Sequence, residues 1–324
     1  MLVPALAMLL LFAALGSLLL GPVSLPLGRI VAALTGQGDP MAHTIVVELR
    51  LPRTLLGVTV GAILGLAGAA LQGYLRNPLA EPSVLGTSNA AAVGAVAALY
   101  FGLAQAWPFA LPLLAISGAV LSLALLFLLA GRSDSALTLI LAGIAIGTLA
   151  GAGISLALNL SPNPFAAMEI MSWLMGSLEN RSFDHLRIAL PCIAIGMGLL
   201  LWDGRALDAL TLGEDSARAL GFELGHVRLR LLLGTAIGVG GAVSVSGAIG
   251  FVGLIVPHLI RPLTDRSPSA ILIPSALGGA VLLTLADLAV RLIPTESELK
   301  LGVVTAFLGV PVFLIYLLRG RRLW

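Results

Sequence analysis

Charged residues are scarce in this sequence. Only 10% of its 324 residues are Asp, Glu, Lys or Arg and 58% are hydrophobic, whereas roughly 25% of a soluble domain is charged. An ordinary soluble fold is therefore excluded. A chain in lipid must satisfy its backbone hydrogen bonds internally, either as helices or as a closed β-barrel. The apolar runs are continuous here, whereas barrel strands alternate apolar and polar residues, so the sequence predicts an all-α polytopic membrane protein.

Lysine is almost absent, and Lys300 is the single example. The phosphate-binding loop GxxxxGK[ST] of many ATPases needs a lysine followed by Ser or Thr, whereas Leu301 follows Lys300. The chain is therefore predicted not to hydrolyse ATP and not to be an enzyme. We expect it to hold no cofactor of its own and to depend on other subunits for energy.

Groups for several other chemistries are also missing. The single cysteine, Cys192, allows neither a disulfide framework nor a thiolate metal site, and no two of the four histidines share metal-ligand spacing. A Gly-x-Ser-x-Gly nucleophile or a pair of facing aspartates, which intramembrane hydrolysis would need, is not found. The arginines are dispersed at predicted helix ends rather than clustered with aromatic residues, which argues against nucleic-acid binding.

About ten apolar runs approach the roughly 20 residues that a helix needs to cross the hydrocarbon. They cover residues 3–20, 54–73, 84–103, 109–130, 137–158, 186–202, 231–249, 250–263, 271–292 and 301–318. The run 250–263 is short and contains Pro257, so it either crosses or re-enters the membrane. The first run lacks a basic start and a convincing cleavage site, which indicates a retained helix. With an even number of spans, the arginines at 319–322 predict that both termini lie in the cytoplasm; an odd number of spans is the alternative.

Two segments of the chain are similar in sequence. Arg53-Thr-Leu-Leu-Gly57-Val-Thr-Val-Gly61 matches the pattern of Arg230-Leu-Leu-Leu-Gly234-Thr-Ala-Ile-Gly238. With ten spans the two segments start on opposite sides of the membrane, which is the arrangement of inverted repeats in transporters. Chance similarity in sequence rich in Leu and Gly is the alternative. In either case the sequence predicts one transmembrane domain over residues 1–324.

One acidic residue, Asp287, lies clearly inside a predicted span. Ion-coupled carriers place such groups near the middle of the membrane, so a stand-alone secondary transporter that uses Asp287 is the alternative function. Arg291 follows one helical turn later, at a spacing that favours a local ion pair instead.

Three polar segments interrupt the apolar runs. Arg50-Leu-Pro-Arg53 precedes the second span and carries two positive charges that suit an acidic partner. Arg76-Asn-Pro-Leu-Ala-Glu-Pro82 is typical of a tight turn between helices. The third segment, 203–230, contains Leu212-Gly-Glu-Asp-Ser-Ala-Arg-Ala-Leu-Gly221, in which two glycines frame a predicted short helix. Its Glu214 and Arg218 are spaced i,i+4, and Ala217 and Leu220 are predicted to form one apolar face.

At these segments the sequence resembles the FecCD family, the permeases of type II ABC importers. The matching stretches are Arg50-Leu-Pro-Arg53-Thr54, Asn77-Pro-Leu-Ala-Glu-Pro82 with Leu85-Gly86, the segment Leu212 to Gly221, Gly247-Ala-Ile-Gly-Phe-Val-Gly-Leu-Ile-Val-Pro-His258 and Gly302-Val-Val-Thr-Ala-Phe-Leu-Gly-Val-Pro311. They extend from about residue 45 to the C-terminus.

The resemblance implies a homodimer of ten-helix subunits in a bacterial inner membrane, with two ATP-binding-cassette subunits below it. A periplasmic binding protein would deliver a metal chelate, with a ferric siderophore ranked before haem and cobalamin. The resemblance also assigns residues to three roles. Docking of the binding protein falls to Arg50, Arg53 and Arg291; coupling to the ATPase falls to Leu212, Gly213, Glu214, Ala217, Arg218, Leu220 and Gly221; and the cytoplasmic gate comprises Asn77, Leu79, Ser135 and Thr138.

Overall fold

The protein is built from helices joined by loops. A computed structural model describes residues 1–131, 136–295 and 298–320, with only the backbone described at 315–317, 319 and 320. The α-helices are α1 (Leu2–Leu19), α2 (Leu27–Leu34), α3 (Pro40–His43), α4 (Leu51–Tyr74), α5 (Thr87–Tyr100), α6 (Leu103–Ala106), α7 (Ala110–Ala130), α8 (Ala136–Asn159), α9 (Pro164–Leu174), α10 (Phe183–Trp202), α11 (Gly204–Leu210), α12 (Glu214–Ala219), α13 (Leu224–Ser246), α14 (Val252–Ile260), α15 (Pro268–Leu292) and α16 (Leu301–Gly320). A π-helical segment (Thr44–Arg50) leads into α4, and 3-10 turns lie at Pro82–Leu85 and Arg261–Leu263.

Seven helical segments of the described chain are long and apolar enough to cross a membrane. They are α1, the continuous segment Pro40–Tyr74 that contains α4, and α7, α8, α10, α13 and α15. Of the remaining apolar helices, α5 has 14 residues, α14 has 9 and α16 has 20. A helix therefore lies at every predicted apolar run, and the predicted all-α membrane fold is confirmed.

The run 250–263 forms a short helix rather than a full span. Val252–Leu263 is helical, and its 12 residues extend only about 18 Å, against a hydrocarbon thickness of about 30 Å. Gly247 and Phe251 have φ angles of 70° and 68°, so the chain changes direction between α13 and α14. As a result, α14 lies against α4 and α15 and is too short to cross the membrane alone.

Two of the spanning helices lie at the centre of the bundle. In α13 and in the segment that contains α4, 78% of the most apolar window is buried within the chain, compared with 11% in α1 and 33% in α7 and α8. The outer helices leave large apolar side chains exposed, such as Leu128 and Leu149. That exposure is expected of surfaces that contact lipid or a second membrane protein.

Glycine allows α4 and α15 to cross at close range. A Cβ atom on Gly61 would collide with the carbonyl group of Gly279, and one on Gly65 would collide with that of Ser275. Since residue numbers rise along α4 as they fall along α15, the two helices are antiparallel. Small residues at such a crossing let the backbones approach, which is how helices associate in lipid without a water-driven core.

The two similar segments begin at opposite ends of the bundle. Arg53, at the start of α4, pairs with Asp287, and Arg230, in α13, pairs with Asp203. The last turn of α4 lies beside the first turn of α13, because Tyr74 and Leu224 line the same crevice. The helices α4 and α13 therefore run in opposite directions, as an inverted repeat requires.

Candidate functional site

The first predicted site is the arginine end of the bundle, defined by Arg50, Arg53 and Arg291. Arg50 is only 5% exposed, and its guanidinium donates hydrogen bonds to the carbonyl oxygens of Leu18 and Leu19 at 2.9 Å. These carbonyls belong to the last turn of α1, where helix geometry leaves acceptors without a partner. Arg50 therefore fastens the end of α1 to the start of α4.

Arg53 is held between two carboxylates. Its Nε and Nη2 atoms lie 3.0 Å and 2.8 Å from Oδ1 of Asp287, and its Nη1 atom lies 3.0 Å from Oε2 of Glu298. Nη2 also donates to Oε1 of Glu298. The fork of N–H donors on one guanidinium is thus divided between α15 and the segment that precedes α16. Such two-point contacts fix geometry as well as adding energy.

Arg291 completes the network at this end. Its Nε atom lies 3.1 Å from Oδ2 of Asp287, which confirms the ion pair predicted from their spacing. Its Nη1 donates to the carbonyl oxygen of Ser17 at 3.1 Å, and the Ser17 hydroxyl lies 2.6 Å from the Thr54 hydroxyl. Asp287 is 2% exposed and Arg291 is 7% exposed, so α1, α4 and α15 are joined by a buried polar network.

The three arginines are therefore engaged by groups of the chain itself rather than freely exposed. A buried charge is stable only when it is paired and hydrogen-bonded, and the chain supplies the partners itself. A cavity of about 260 Å³ nevertheless lies beside them and is also lined by Glu179, Arg181 and Glu298. Burial lowers the pKa of Arg181, and the charge of Glu179 opposes that shift. The docking role of Arg50, Arg53 and Arg291 stays a prediction.

The second predicted site is the α12 end, defined by the segment Leu212 to Gly221. Gly213 and Gly221 have φ angles of 102° and 88°, which favour glycine, and they frame α12 as predicted. The side chain of Ala217 is buried, whereas Leu212 and Leu220 are 69% and 63% exposed. The prediction that Ala217 and Leu220 share one face was wrong, because Ala217 faces the bundle. Leu212 and Leu220 therefore expose apolar surface at this end, and the coupling role of the segment stays a prediction.

Glu214 connects α12 to the turn that follows α4. Its carboxylate lies 3.5 Å from Nη2 of Arg218, as predicted from their spacing, and 3.5 Å from Nη2 of Arg76. Arg76 has a φ of 49°, so the chain turns sharply there. The link from Glu214 to Arg76 joins two segments that the sequence treated as separate, and no pattern in the sequence pointed to it.

The predicted gate turn follows Arg76 directly. Oδ1 of Asn77 accepts a hydrogen bond from the backbone N–H of Leu79 at 2.9 Å, which stabilises a tight turn. Leu79 is 39% exposed. Thr138 lies in the first turn of α8, and Ala136 of that turn lines the same crevice as Arg76. Ser135 lies outside the described residues.

Glu81 ends the gate turn and was not predicted as a site residue. Burial raises the pKa of its carboxyl group, while hydrogen bonds from the Ser83 hydroxyl and the backbone N–H of Phe251 oppose the shift. Phe251 precedes α14, so Glu81 connects the gate turn to that short helix. The sequence did offer one signal for Glu81, which is an acidic residue between two prolines, Pro78 and Pro82.

Comparisons with known proteins agree with this architecture. The model of the FecCD transport family matches residues 9–319. The chain is 41% identical over 292 residues to the uncharacterized ABC transporter permease protein YvrB of Bacillus subtilis, which covers 89% of this chain and 82% of that protein. It is also 41% identical over 279 residues to the vitamin B12 import system permease protein BtuC of Salmonella newport, covering 85% of this chain and 84% of BtuC.

A solved structure shares the fold along almost the whole chain. It is described as an inward-facing conformation of a metal-chelate type ABC transporter, and it aligns with a TM-score of 0.88 and 32% identity over 98% of each chain. The family match, the permease relatives and the shared helical architecture lead to one conclusion. The chain belongs to the FecCD transport family and is a multi-pass membrane permease subunit of an ABC importer.

Proposed function

We propose that two copies of this chain form the path through a bacterial inner membrane for a metal chelate. A periplasmic binding protein delivers the chelate at the arginine end, and two ATP-binding-cassette subunits act at the α12 end, on the cytoplasmic side to which we assign both termini. The observation that carries the proposal is the geometry of α12: a glycine-framed helix with exposed Leu212 and Leu220 is linked through Glu214 to Arg76.

This geometry provides a route from the ATPase to the gate. The apolar side chains of Leu212 and Leu220 would be buried in a groove of the ATPase, since exposed apolar surface favours association. A displacement of α12 is then passed through the contact of Glu214 with Arg76 to the turn at Asn77. ATP binding and hydrolysis thus shift the population between two gate states, provided the ATPase binds one of them better.

The relatives favour a cobalt-containing corrinoid as the chelate. BtuC is named for vitamin B12 import, and the solved structure is described as metal-chelate type. A ferric siderophore, ranked first from the sequence, and haem are the competing substrates. A binding protein selects the chelate by its own contacts, so the permease needs a path with few specific interactions.

The alternative of a stand-alone carrier finds no support at Asp287. Both carboxylate oxygens of Asp287 contact guanidinium groups, those of Arg53 and Arg291. A coupling acid must bind and release a proton as the carrier cycles. The guanidinium groups of Arg53 and Arg291 instead occupy both carboxylate oxygens and make Asp287 part of a structural network.

Reconstitution of the complete transporter in proteoliposomes tests the proposal. The permease, its ATPase and its binding protein are assembled, and uptake of cyanocobalamin, a ferric siderophore and haem is measured with and without ATP inside. We expect ATP-dependent uptake of cyanocobalamin only when all three components are present. Uptake by the permease alone down a proton gradient, unaffected by the other subunits, would contradict the proposed function. ATP-dependent uptake of a siderophore instead would contradict only the substrate.

A further inference from the structure

A second basic cavity lies at the α12 end of the bundle, apart from α12 itself. It has a volume of about 400 Å³ and lies among the last turn of α4, the end of α14 and the start of α15. Its basic lining residues are Arg76, His258, Arg261 and Arg266. Among the described residues that line it, none is acidic. The coupling and gating roles proposed above do not account for this concentration of positive charge.

The cavity is supported by a buried polar side chain. Gln72 is 2% exposed, and its Nε2 donates to the carbonyl oxygens of Gly253 and Leu254 at 3.3 Å. Its Oε1 accepts a hydrogen bond from Nη2 of Arg261 at 3.2 Å. Because both ends of its amide are engaged, Gln72 has a fixed orientation and holds the Arg261 guanidinium at the cavity.

Two of the other arginines are presented by an unusual backbone. Arg76 and Arg266 have φ angles of 49° and 67°, in the left-handed region that costs energy for residues other than glycine. Such conformations persist where the surrounding structure enforces them, and they are enriched at binding sites. The nearby acids leave net positive charge. Glu214 pairs with Arg76, and Asp265 accepts hydrogen bonds from the backbone N–H and hydroxyl of Ser267.

The end of α14 has the character of a segment at the membrane surface. His258 and Arg261 line the cavity, whereas Leu259 and Leu263 are 52% and 63% exposed. Residues three or four apart share a helix face, so basic residues occupy one face and apolar residues the other. Helices with a basic face and an apolar face lie where headgroups meet acyl chains.

We infer that this cavity binds the phosphate group of an anionic phospholipid of the cytoplasmic leaflet. Guanidinium groups pair with phosphate oxygens by two-point, charge-assisted hydrogen bonds, and basic pockets between spans on the cytoplasmic side bind anionic headgroups. The exposed leucines next to the cavity favour a lipid over a soluble phosphate. The assignment to the cytoplasmic leaflet rests on the proposed function, which places the α12 end on that side.

The test measures lipid binding to the purified full-length chain in detergent by native mass spectrometry. Phosphatidylglycerol and phosphatidylcholine with the same acyl chains are the probes, and inorganic phosphate is the competitor. We expect wild-type protein to prefer phosphatidylglycerol, and Arg266→Gln to lower its affinity about tenfold, since a hydrogen bond to a charged group contributes at least that factor. Arg266 is exposed, so this variant should fold even if Arg261→Gln does not. Arg205→Gln, which removes an exposed arginine of α11 outside the cavity, should have no effect.

Other results would overturn the inference. If both Arg261→Gln and Arg266→Gln bind phosphatidylglycerol as wild type does, the cavity is not the lipid site. If an equal concentration of inorganic phosphate displaces the lipid, the cavity binds a soluble anion. If these variants bind lipid normally but no longer bind the ATPase, the cavity instead contacts an acidic surface of the ATPase. Chelate uptake by the wild-type transporter is measured separately, so absent uptake with intact lipid selectivity contradicts the proposed function and leaves the lipid site standing.

Discussion

Arg53 and Asp287 are separated by 234 residues in the chain, and their guanidinium and carboxylate groups meet at 2.8 Å in the protein interior. Asp287 also contacts Arg291 at 3.1 Å. The pair lies where α4 and α15 meet, so it contributes to the stability of the bundle whether or not a binding protein is docked.

Replacement of Asp287 by alanine should strongly destabilise the protein. The change leaves Arg53 and Arg291 buried without their shared carboxylate, and removal of one partner of a buried pair costs about 3–5 kcal/mol. The detergent-solubilised protein is heated, and the fraction that remains folded is monitored by size-exclusion chromatography. The fall in unfolding temperature relative to wild type measures the loss of stability. The control is Arg187→Ala, which breaks the exposed pair with Asp184, whose side chains are 78% and 66% exposed. An exposed pair contributes about 1 kcal/mol or less, and equal losses for both variants would contradict the structural role.

Replacement of Glu298 by glutamine should strengthen docking of the binding protein. Glu298 engages Arg53 from the side of the cavity, so a carboxylate of the binding protein must displace it to reach the guanidinium. Removal of that competing charge should raise the affinity about tenfold, an energy of about 1.4 kcal/mol. Surface plasmon resonance measures the affinity of the permease for the binding protein, and the gain should shrink at high salt, which screens charges.

Glu179→Gln is the matched control for docking. Glu179 lines the same cavity but pairs with Lys300 at 3.2 Å, so the variant removes one negative charge without releasing Arg53. If both variants raise the affinity equally, the gain comes from the overall charge of the cavity, and the specific competition at Arg53 is wrong.

Replacement of Glu214 by glutamine should uncouple transport from ATP hydrolysis. The variant weakens the contact between α12 and Arg76 but leaves Leu212 and Leu220 in place, so we expect the ATPase to bind and hydrolyse ATP. Uptake should fall up to about fivefold, since a partly exposed ion pair contributes about 1 kcal/mol or less. Arg76→Gln should have a similar effect, and the double variant should be no worse than either single one, because contacting residues are not additive. Asp215→Asn is the control, since the Asp215 side chain is fully exposed. Additive losses in the double variant would contradict the link.

Glu81 should make stability depend on pH. Burial raises the pKa of its carboxyl group in the folded protein, so the folded state holds the proton more tightly than the unfolded state. Stability from this group is therefore complete below the unfolded pKa of about 4.3 and is lost as pH rises through the higher folded value. Unfolding temperatures of wild type and Glu81→Gln are compared from pH 4 to 8, and the variant should gain relative to wild type as pH rises. A constant difference would exclude the titration of Glu81.

The sequence predicted the architecture well because its signals were local. Apolar runs located the helices, and the glycines at 213 and 221 located α12. Contacts between distant segments could not be predicted from the sequence. The pairs Arg53–Glu298 and Glu214–Arg76 join residues that no periodicity relates. The burial of the arginines was not predicted, because charge patterns indicate where a chain meets water, whereas burial depends on which acid folding brings beside them.

The crossing of α4 and α15 provides a test of packing that is independent of charge. A Cβ atom on Gly61 would collide with the Gly279 carbonyl group, so Gly61→Ala must push two central helices apart. Overpacking of this kind costs about 1–3 kcal/mol, and the thermal unfolding temperature should fall. Gly57 is one turn earlier in α4, and a Cβ there would lie 3.5 Å from Oγ1 of Thr284, an ordinary contact. Gly57→Ala should therefore be neutral or slightly stabilising, because alanine loses less backbone freedom than glycine on folding. Equal behaviour of the two variants would mean that the helices adjust freely at this crossing, and close approach through Gly61 would then not be what holds α4 against α15.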